Sequence, residues 1–278
     1  MILWLASYPK SGNTWLRIFI EAALFSKENA VDINNMKIKQ FPSRSDFDEL
    51  NIDIENVKEF SENCINAQEI INLDNKTKIF KTHNAFWKTG THSFTNKKNT
   101  LGVIHIVRDP RNVITSVKNH YGKESYDEAF KFITDEKLII GSRSKESENH
   151  IPTVVSSWSN HYNSWKKMDK DYLLIKYENL LSDPFSEFQK IINYLKKYFD
   201  FDFTTNQIKK FVQNYNFENL KKQESEKGFK ESVKDDIGGV KKFFFLGPKN
   251  KWETMLDLKT RKDIEEVFEK EMFELGYL

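Results

Sequence analysis

Cysteine occurs once in the 278 residues, at Cys64, which excludes a disulfide framework and any cysteine-based zinc site and suits a reducing compartment. No apolar run approaches the roughly 20 residues needed to span a bilayer, so no integral membrane segment is expected. The N-terminal apolar stretch is too short for a secretory signal and lacks its basic region. The cytoplasm is the expected compartment. An excess of one charge is also missing: 43 Lys plus Arg stand against 41 Asp plus Glu, a formal net charge of +2. Nucleic acid and anionic membrane surfaces are therefore not expected partners, and any anion must be met by a local cluster. Arginine is scarce, standing only at 17, 44, 108, 111, 143 and 261 beside 37 Lys and 25 Asn. Lysine is thus the default surface cation, and an arginine says more about a need for bidentate geometry.

What is present is a folded composition: 38% hydrophobic, with 23 Phe, 10 Tyr and 6 Trp supplying large buried areas. No repeat, low-complexity tract or Gly/Pro/Ser linker divides the chain, so a single domain over 1–278 is expected. The polar stretches 40–58, 142–150 and 221–236 read as surface loops or exposed helices, and the Lys-rich run 221–242 as a solvated face. Short apolar runs at Ile2–Ala6, Lys78–Lys81, Val103–Val107 and Tyr172–Ile175 suit buried parallel strands. Helical patterns lie between them at Thr14–Leu24, at 110–121 behind an Asp109 cap with Pro110 in the first helical position, at 153–168 and 184–197, and at 258–275. Strands alternating with helices indicate an α/β fold, a three-layer α/β/α arrangement around a mainly parallel sheet. Ligands in such folds bind at the carboxyl ends of the strands, which directs attention to Tyr8–Asn13, Thr82–His83, Arg108 and Tyr177.

The run Ser7 to Leu16 reads strand, glycine turn, helix. Backbone N–H groups at a helix start make an anion cradle, and Lys10 adds a full charge. A Walker A loop requires Gly-x4-Gly-Lys-Ser/Thr, whereas Lys10 precedes the only glycine, Gly12, by two residues. By itself the loop is also compatible with an ordinary strand–helix turn. In the second run, Val103 to Ser116, Arg108 ends a strand and Ser116 lies two turns into the next helix, so both can address one phosphate. Asp109-Pro110 is a good helix start in its own right, and Arg111 is compatible with a solvated side chain. His105, inside an apolar strand, is assigned to the core. Trp158 and Trp165 are most simply a core stripe, one of them being also compatible with lining an acceptor pocket, and His92, His120, His150 and His161 take surface or packing roles.

Tyr8-Pro9-Lys10-Ser11-Gly12-Asn13-Thr14-Trp15, followed some 90 residues later by Val103 to Val117, resembles the two cofactor motifs of the PAPS-dependent sulfotransferases (PAPS, 3′-phosphoadenosine 5′-phosphosulfate). Lys81-Thr82-His83, the aromatic segment Ser157 to Trp165, Leu174 to Glu178 with Asp183-Pro184, and the end at Leu275-Gly276-Tyr277 extend the likeness over nearly the entire chain. The resemblance implies a P-loop NTPase-like sulfotransferase fold and sulfuryl transfer from PAPS to a hydroxyl or amine of a small molecule, sugar or lipid, leaving 3′,5′-ADP. It implies that Lys10, Ser11, Gly12, Asn13 and Thr14 hold the 5′-phosphosulfate and that Trp15 packs on the adenine. Arg108 and Ser116 would hold the 3′-phosphate, with Tyr177 and Phe217 near the adenine. His83 would be the general base and Lys81 would stabilise the transferring group, with Lys10 near the bridging oxygen.

One segment departs from the pattern. Where the family has Arg-Lys-Gly-x-x-Gly-Asp-Trp, this chain has Phe245-Leu246-Gly247-Pro248-Lys249-Asn250-Lys251-Trp252. The basic pair is apolar, so Lys249 or Lys251 would have to supply the cation, and Gly247 and Lys249 are the candidates for the closing loop. No metal is required, since a sulfuryl group carries less charge than a γ-phosphoryl and neither an acidic Walker B strand end nor a His-Glu-x-x-His pattern occurs. The alternatives are a P-loop kinase or nucleotide hydrolase, disfavoured by the Lys–Gly order, and a non-catalytic nucleotide-binding module of the same fold. Two helices with aromatic faces are compatible with a homodimer. The acceptor-binding segments, about 30–75, 84–99 and 122–152, do not distinguish acceptor classes.

Overall fold

The computed structural model describes residues 1–26, 31–141, 151–232 and 239–278. The stretch 142–150, with Arg143 and His150, and residues 233–236 of the polar run lie outside them. In chain order the strands are β1 (Ile2–Ser7), β2 (Lys39–Gln40), β3 (Lys78–Thr82), β4 (Lys88–Thr89), β5 (His92–Ser93), β6 (Thr100–Val107), β7 (Ile139–Ile140), β8 (Thr153–Val154) and β9 (Asp171–Lys176). The first helices are α1 (Asn13–Leu24), α2 (Val57–Ile71), α3 (Pro110–His120), α4 (Tyr126–Thr134), α5 (Trp158–Lys166) and α6 (Tyr177–Ser182). After them come α7 (Pro184–Leu195), α8 (Thr205–Asn214), α9 (Phe217–Lys227), α10 (Trp252–Met255), α11 (Leu258–Val267) and α12 (Glu269–Glu274). The chain gathers into two compact units, Met1–Asn13 with Ile38–Val107 and Thr134–Ile175, and Thr14–Lys37 with Arg108–Ile133 and Lys176–Leu278.

The first unit is built on a five-stranded sheet in the order β2-β3-β1-β6-β9, with β1 parallel to β3 and β6 and β2 parallel to β3. All six residues of β1 are buried, as a strand covered on both faces requires. Later strands fall on both sides of β1, so the strand order reverses there, the place where an α/β sheet opens a ligand crevice at its carboxyl edge. Register pairs Leu5 with Lys81, Ala6 with Thr82 and Ser7 with Ile106, which ends the three central strands at one level. Beneath, Trp4 packs on Phe94 and Phe41 at ring centroid distances of 5.1 and 5.5 Å and donates from Nε1 to Thr100 Oγ1 at 3.1 Å.

In the second unit, Phe19 of α1 stacks on Phe188 of α7 at 4.0 Å and meets Phe211 of α8 at 5.0 Å. The α3 start follows expectation: Asp109 accepts from Arg111 N at 2.9 Å, with Pro110 first in the helix. The Arg111 side chain, expected to be compatible with solvent, is instead buried. It grips Asp109 through Nε and NH2 at 3.0 and 2.7 Å and reaches Glu265 and the Tyr277 carbonyl at 2.6 and 2.8 Å.

Four element expectations need correction. The helix read at 153–168 begins only at Trp158, because Thr153–Val154 pairs with Ile139–Ile140, Ser156 takes φ 63°, and Ser157 caps the helix. The helix read at 258–275 is two helices, broken at Phe268. Stretch 40–58 is not wholly surface, since Phe41 and Phe47 are buried in the aromatic core, and the 15-residue α2 follows it unanticipated. The Lys-rich run is not wholly solvated either: Glu224 is buried and accepts from the backbone N–H of Phe243 and Phe244 at 2.6 and 2.9 Å.

The core of the first unit also holds two histidines. His105, 1% exposed, lies 2.7 Å through Nδ1 from the Tyr172 hydroxyl, and the fully buried His161 ring is 5.6 Å away. Burial lowers His161 to about 3, the backbone near His83 and Asn84 opposing in part. Burial, with His161 as a lesser contribution, holds His105 well below 6.5. In the unfolded chain both gain a proton below about pH 6.5, whereas the folded chain keeps His161 neutral down to about 3. Stability therefore rises with pH through that window and falls on acidification, by about 1.4 kcal/mol per pH unit for each such histidine. Urea unfolding of the wild type and His161→Gln at pH 7 and pH 5 should show a smaller acid loss in the variant.

Candidate active site

The sheet edge of the first unit carries a turn under conformational constraint. Between β1 and α1 the backbone takes φ 68° at Lys10 and φ 100° at Gly12. The first is in the left-handed region, which costs a non-glycine residue on the order of 1–2 kcal/mol. Ser11 at the turn's centre is fully buried, and its Oγ has no hydrogen-bond partner. A strained turn of consecutive N–H groups with an unsatisfied buried hydroxyl is the construction expected of an oxyanion cradle.

Asn13 closes this turn. Its Nδ2 donates to the Leu5 carbonyl at 3.2 Å and to Ser7 Oγ at 3.0 Å, so the amide nitrogen braces the strand end, while Oδ1 is buried without a partner. Ser7, to which sequence reasoning gave no role, carries the decisive contact. His83 Nδ1 lies 2.9 Å from the Ser7 carbonyl and 3.1 Å from Ser7 Oγ. A carbonyl oxygen can only accept, so Nδ1 carries the proton and Nε2 the lone pair. This is the tautomer that a general base acting through Nε2 needs, and a proton gained there leaves the Nδ1 bond intact.

The segment after β3 is braced from two further sides. Asn84 Oδ1 accepts from Val154 N at 2.9 Å, and Ala85 N donates to the Val154 carbonyl at 2.8 Å. From α5, Trp165 Nε1 donates to the Asn84 carbonyl and Ser164 Oγ accepts from Phe86 N, both at 2.9 Å. The stripe expected of Trp158 and Trp165 is therefore core, and Trp165 also holds the chain beside His83. Lys81 is only 5% exposed.

The second unit holds the other candidates. Arg108 is buried, with its guanidinium 4.4 Å from the centre of the Tyr177 ring and NH1 donating to Ser116 Oγ at 3.3 Å. The expected Arg108, Ser116 and Tyr177 are thus together. Burial raises the Tyr177 hydroxyl pKa, Arg108 pulling the other way, so the phenol stays neutral. Glu178 accepts from Asp109 N at 3.0 Å and from the Tyr277 hydroxyl at 2.9 Å, which ties the chain end to the base of α3. Phe217 and Gly247 also meet. A Cβ on Gly247, where φ is 53°, would lie 2.3 Å from Phe217 Cδ2, so only glycine lets the loop pass over that ring. Lys249 is exposed at the end of the turn Gly247–Lys249.

Two expected residues have protein partners in α1's first turns. Thr14 Oγ1 donates to Glu231 Oε2 at 3.5 Å, the other oxygen of Glu231 taking Arg17 NH2 at 2.6 Å. Trp15 packs edge-on against Phe188 at 5.5 Å. Asn250, which sequence reasoning singled out only as part of the altered motif, donates to Ser116 Oγ at 3.2 Å. Among the described residues, no group of three or more His, Cys, Asp or Glu side chains is gathered as metal ligands would be.

Residues 2–276 match the family model described as the sulfotransferase domain. Mouse sulfotransferase 1 family member D1 is 24% identical over 285 residues, covering 96% of this chain and 82% of the relative. Human sulfotransferase 2A1 is 22% identical over 278 residues, covering 97% and 83%. Among solved structures, the mouse sulfotransferase SULT7A1 complexed with PAP superposes with a TM-score of 0.57 at 18% identity, covering 98% of this chain and 83% of that one. A retinol dehydratase in complex with androsterone and the inactive cofactor PAP gives 0.56 at 16%, covering 98% and 80%.

Proposed function

The chain belongs to the sulfotransferase domain family and is a sulfotransferase, and from that premise we propose that it moves a sulfuryl group from PAPS to the hydroxyl of a small molecule with His83 as general base. The observation that carries the reading is the hydrogen bond from His83 Nδ1 to the Ser7 carbonyl, which leaves Nε2 as the basic atom beside the strained turn. PAP and androsterone in the solved neighbours' complexes support the donor and the acceptor class. The buried Ser11 hydroxyl and the turn at Lys10 and Gly12 suit the 5′-phosphosulfate. Arg108 with Ser116 suits the 3′-phosphate, and Tyr177, Trp15 and Phe217 supply aromatic surface for the adenine.

In this reading His83 Nε2 takes the proton of the acceptor hydroxyl as its oxygen bonds to sulfur. The bond from sulfur to the 5′-phosphate oxygen breaks, leaving 3′,5′-ADP. Lys10 stabilises charge on the departing phosphate, and the buried Lys81 faces the transferring group. Positioning and electrostatics supply most of the rate in such transfers, which accords with a base braced by Ser7, β8 and α5. Gly247 and Lys249 form the closing loop, Gly247 by its passage over Phe217. Asn13, its amide nitrogen engaged with the backbone, serves the cradle by shaping it. A single cysteine, Cys64, is what the cytoplasmic reading rests on; its thiol is buried, which raises its pKa well above the usual value. No helix among the described residues is long and apolar enough to cross a membrane.

A nucleotide comparison separates this reading from a kinase or nucleotide hydrolase. Ligand at 100 times its dissociation constant adds about 2.7 kcal/mol to stability, which for a chain of this size raises the melting temperature by about 5–10 °C. 3′,5′-ADP should give that shift and ATP with Mg²⁺ far less, and labelled PAPS should then transfer its sulfuryl group to hydroxyl acceptors in a screen of classes. Equal stabilisation by both nucleotides would count against the proposal.

A further inference from the structure

The loop that departs from the family pattern places Asn250 where that pattern has glycine. Asn250 is 6% exposed and follows the turn Gly247–Lys249. Its side chain is held at both ends: Nδ2 donates to the Asn112 carbonyl at 2.9 Å and to Ser116 Oγ at 3.2 Å, and Oδ1 accepts from Thr115 Oγ1 at 2.5 Å. Because a carbonyl cannot donate, the contact with Asn112 determines which end of the amide is nitrogen. Two residues on, Trp252 N donates to Asn112 Oδ1 at 3.0 Å, so the backbone beyond Asn250 is tied to the same helix. Asn112 and Ser116 stand four apart on one face of α3, and Asn250 bridges them.

The consequence falls on Ser116. Its Oγ receives an N–H from Asn250 and another from Arg108 NH1 at 3.3 Å. A hydroxyl has two lone pairs and one proton. With both lone pairs engaged, the proton is left to donate, beside a guanidinium, toward an incoming oxyanion. We infer that Asn250 is a positioning and specificity residue for the nucleotide's 3′-phosphate, acting through Ser116. A neutral amide here orders the phosphate donors in a loop that lacks the family's Arg-Lys pair. The inference rests on the proposed reading of Arg108 and Ser116 as the 3′-phosphate site. Phe245 and Leu246, which replace the basic pair, bring no charge to that site, so orientation of the existing donors carries more of its selectivity.

The test compares two ligands that differ only in the 3′-phosphate, 3′,5′-ADP and AMP, by calorimetry on the full chain. Asn250→Ala should weaken 3′,5′-ADP roughly tenfold, the loss of one well-placed hydrogen bond to a charged group, and leave AMP unchanged. Asn250→Asp keeps the side-chain shape and the Thr115 contact but replaces both N–H donors by an anionic acceptor beside the phosphate site, so its loss for 3′,5′-ADP should exceed that of Asn250→Ala, with AMP changed far less. Asn250→Ala/Ser116→Ala should bind 3′,5′-ADP no more weakly than Ser116→Ala alone. Equal losses for both nucleotides, or additive losses in the double variant, would overturn the inference while leaving the nucleotide reading intact. A wild-type chain without preference for 3′,5′-ADP over AMP would remove the 3′-phosphate reading itself, and Asn250's role with it.

Discussion

The hydrogen bond from the His83 imidazole to the Ser7 carbonyl joins two things that the proposed sulfuryl transfer needs and the chain separates by 76 residues. One is a base with a defined lone pair. The other is the end of β1, where the backbone must turn sharply into α1. Parallel pairing of β1 with β3 supplies the meeting, since the register that sets Leu5 against Lys81 and Ala6 against Thr82 carries the next residues of both strands to the same edge. Asn13 holds Ser7 from the other side. A shift of one residue in that register would turn every β1 side chain to the opposite face and separate the pair, displacing five buried apolar side chains and the Ser7 contacts with them.

Charge is placed with similar economy. A chain with balanced acids and bases cannot attract a nucleotide by its overall field, so local cations must do so. Three arginines among the described residues are buried, each on a defined partner: Arg111 bidentate on Asp109, Arg17 on Glu231, and Arg108 against the Tyr177 ring. Arg111 and its partners act on structure rather than on ligand, anchoring the first turn of α3 to the chain's last residues. Arg108, two turns from Ser116, is the buried arginine to which the proposal gives a recognition role. Among the described residues Lys81 is the lysine that is buried, and its place directly before Thr82-His83 is where the resemblance sets the proposed stabiliser of the transferring group.

The sequence made the four long strands of the sheet legible because each is a short apolar run between turn signals, and it marked α3 and α7 by their Asp-Pro starts. It directed attention to His83 and Arg108 at strand ends and to Ser116 on the following helix, while the roles proposed for them came from the resemblance to the sulfotransferases. What remained hidden has physical causes. The two-residue β2 has no periodicity to detect, and Phe41 and Phe47 sit in a polar stretch whose burial depends on partners far along the chain. The early start given to α5 came from a helical pattern that ignored the positive φ at Ser156 and the Ser157 cap. Ser7 and Asn250 drew no site assignment from the sequence because the roles proposed for them rest on hydrogen bonds to residues 76 and 134 positions away. Backbone carbonyls and neutral amides leave no mark in a charge or motif scan.

The central claim is that His83, held through Nδ1 by Ser7, removes the acceptor's proton during sulfuryl transfer. Its most direct measurement is transfer from labelled PAPS by His83→Ala, with 3′,5′-ADP binding determined on the same protein. The account predicts a fall in transfer of about 10²- to 10⁴-fold, the usual worth of a positioned base, with nucleotide affinity unchanged. Transfer at the wild-type rate would contradict it.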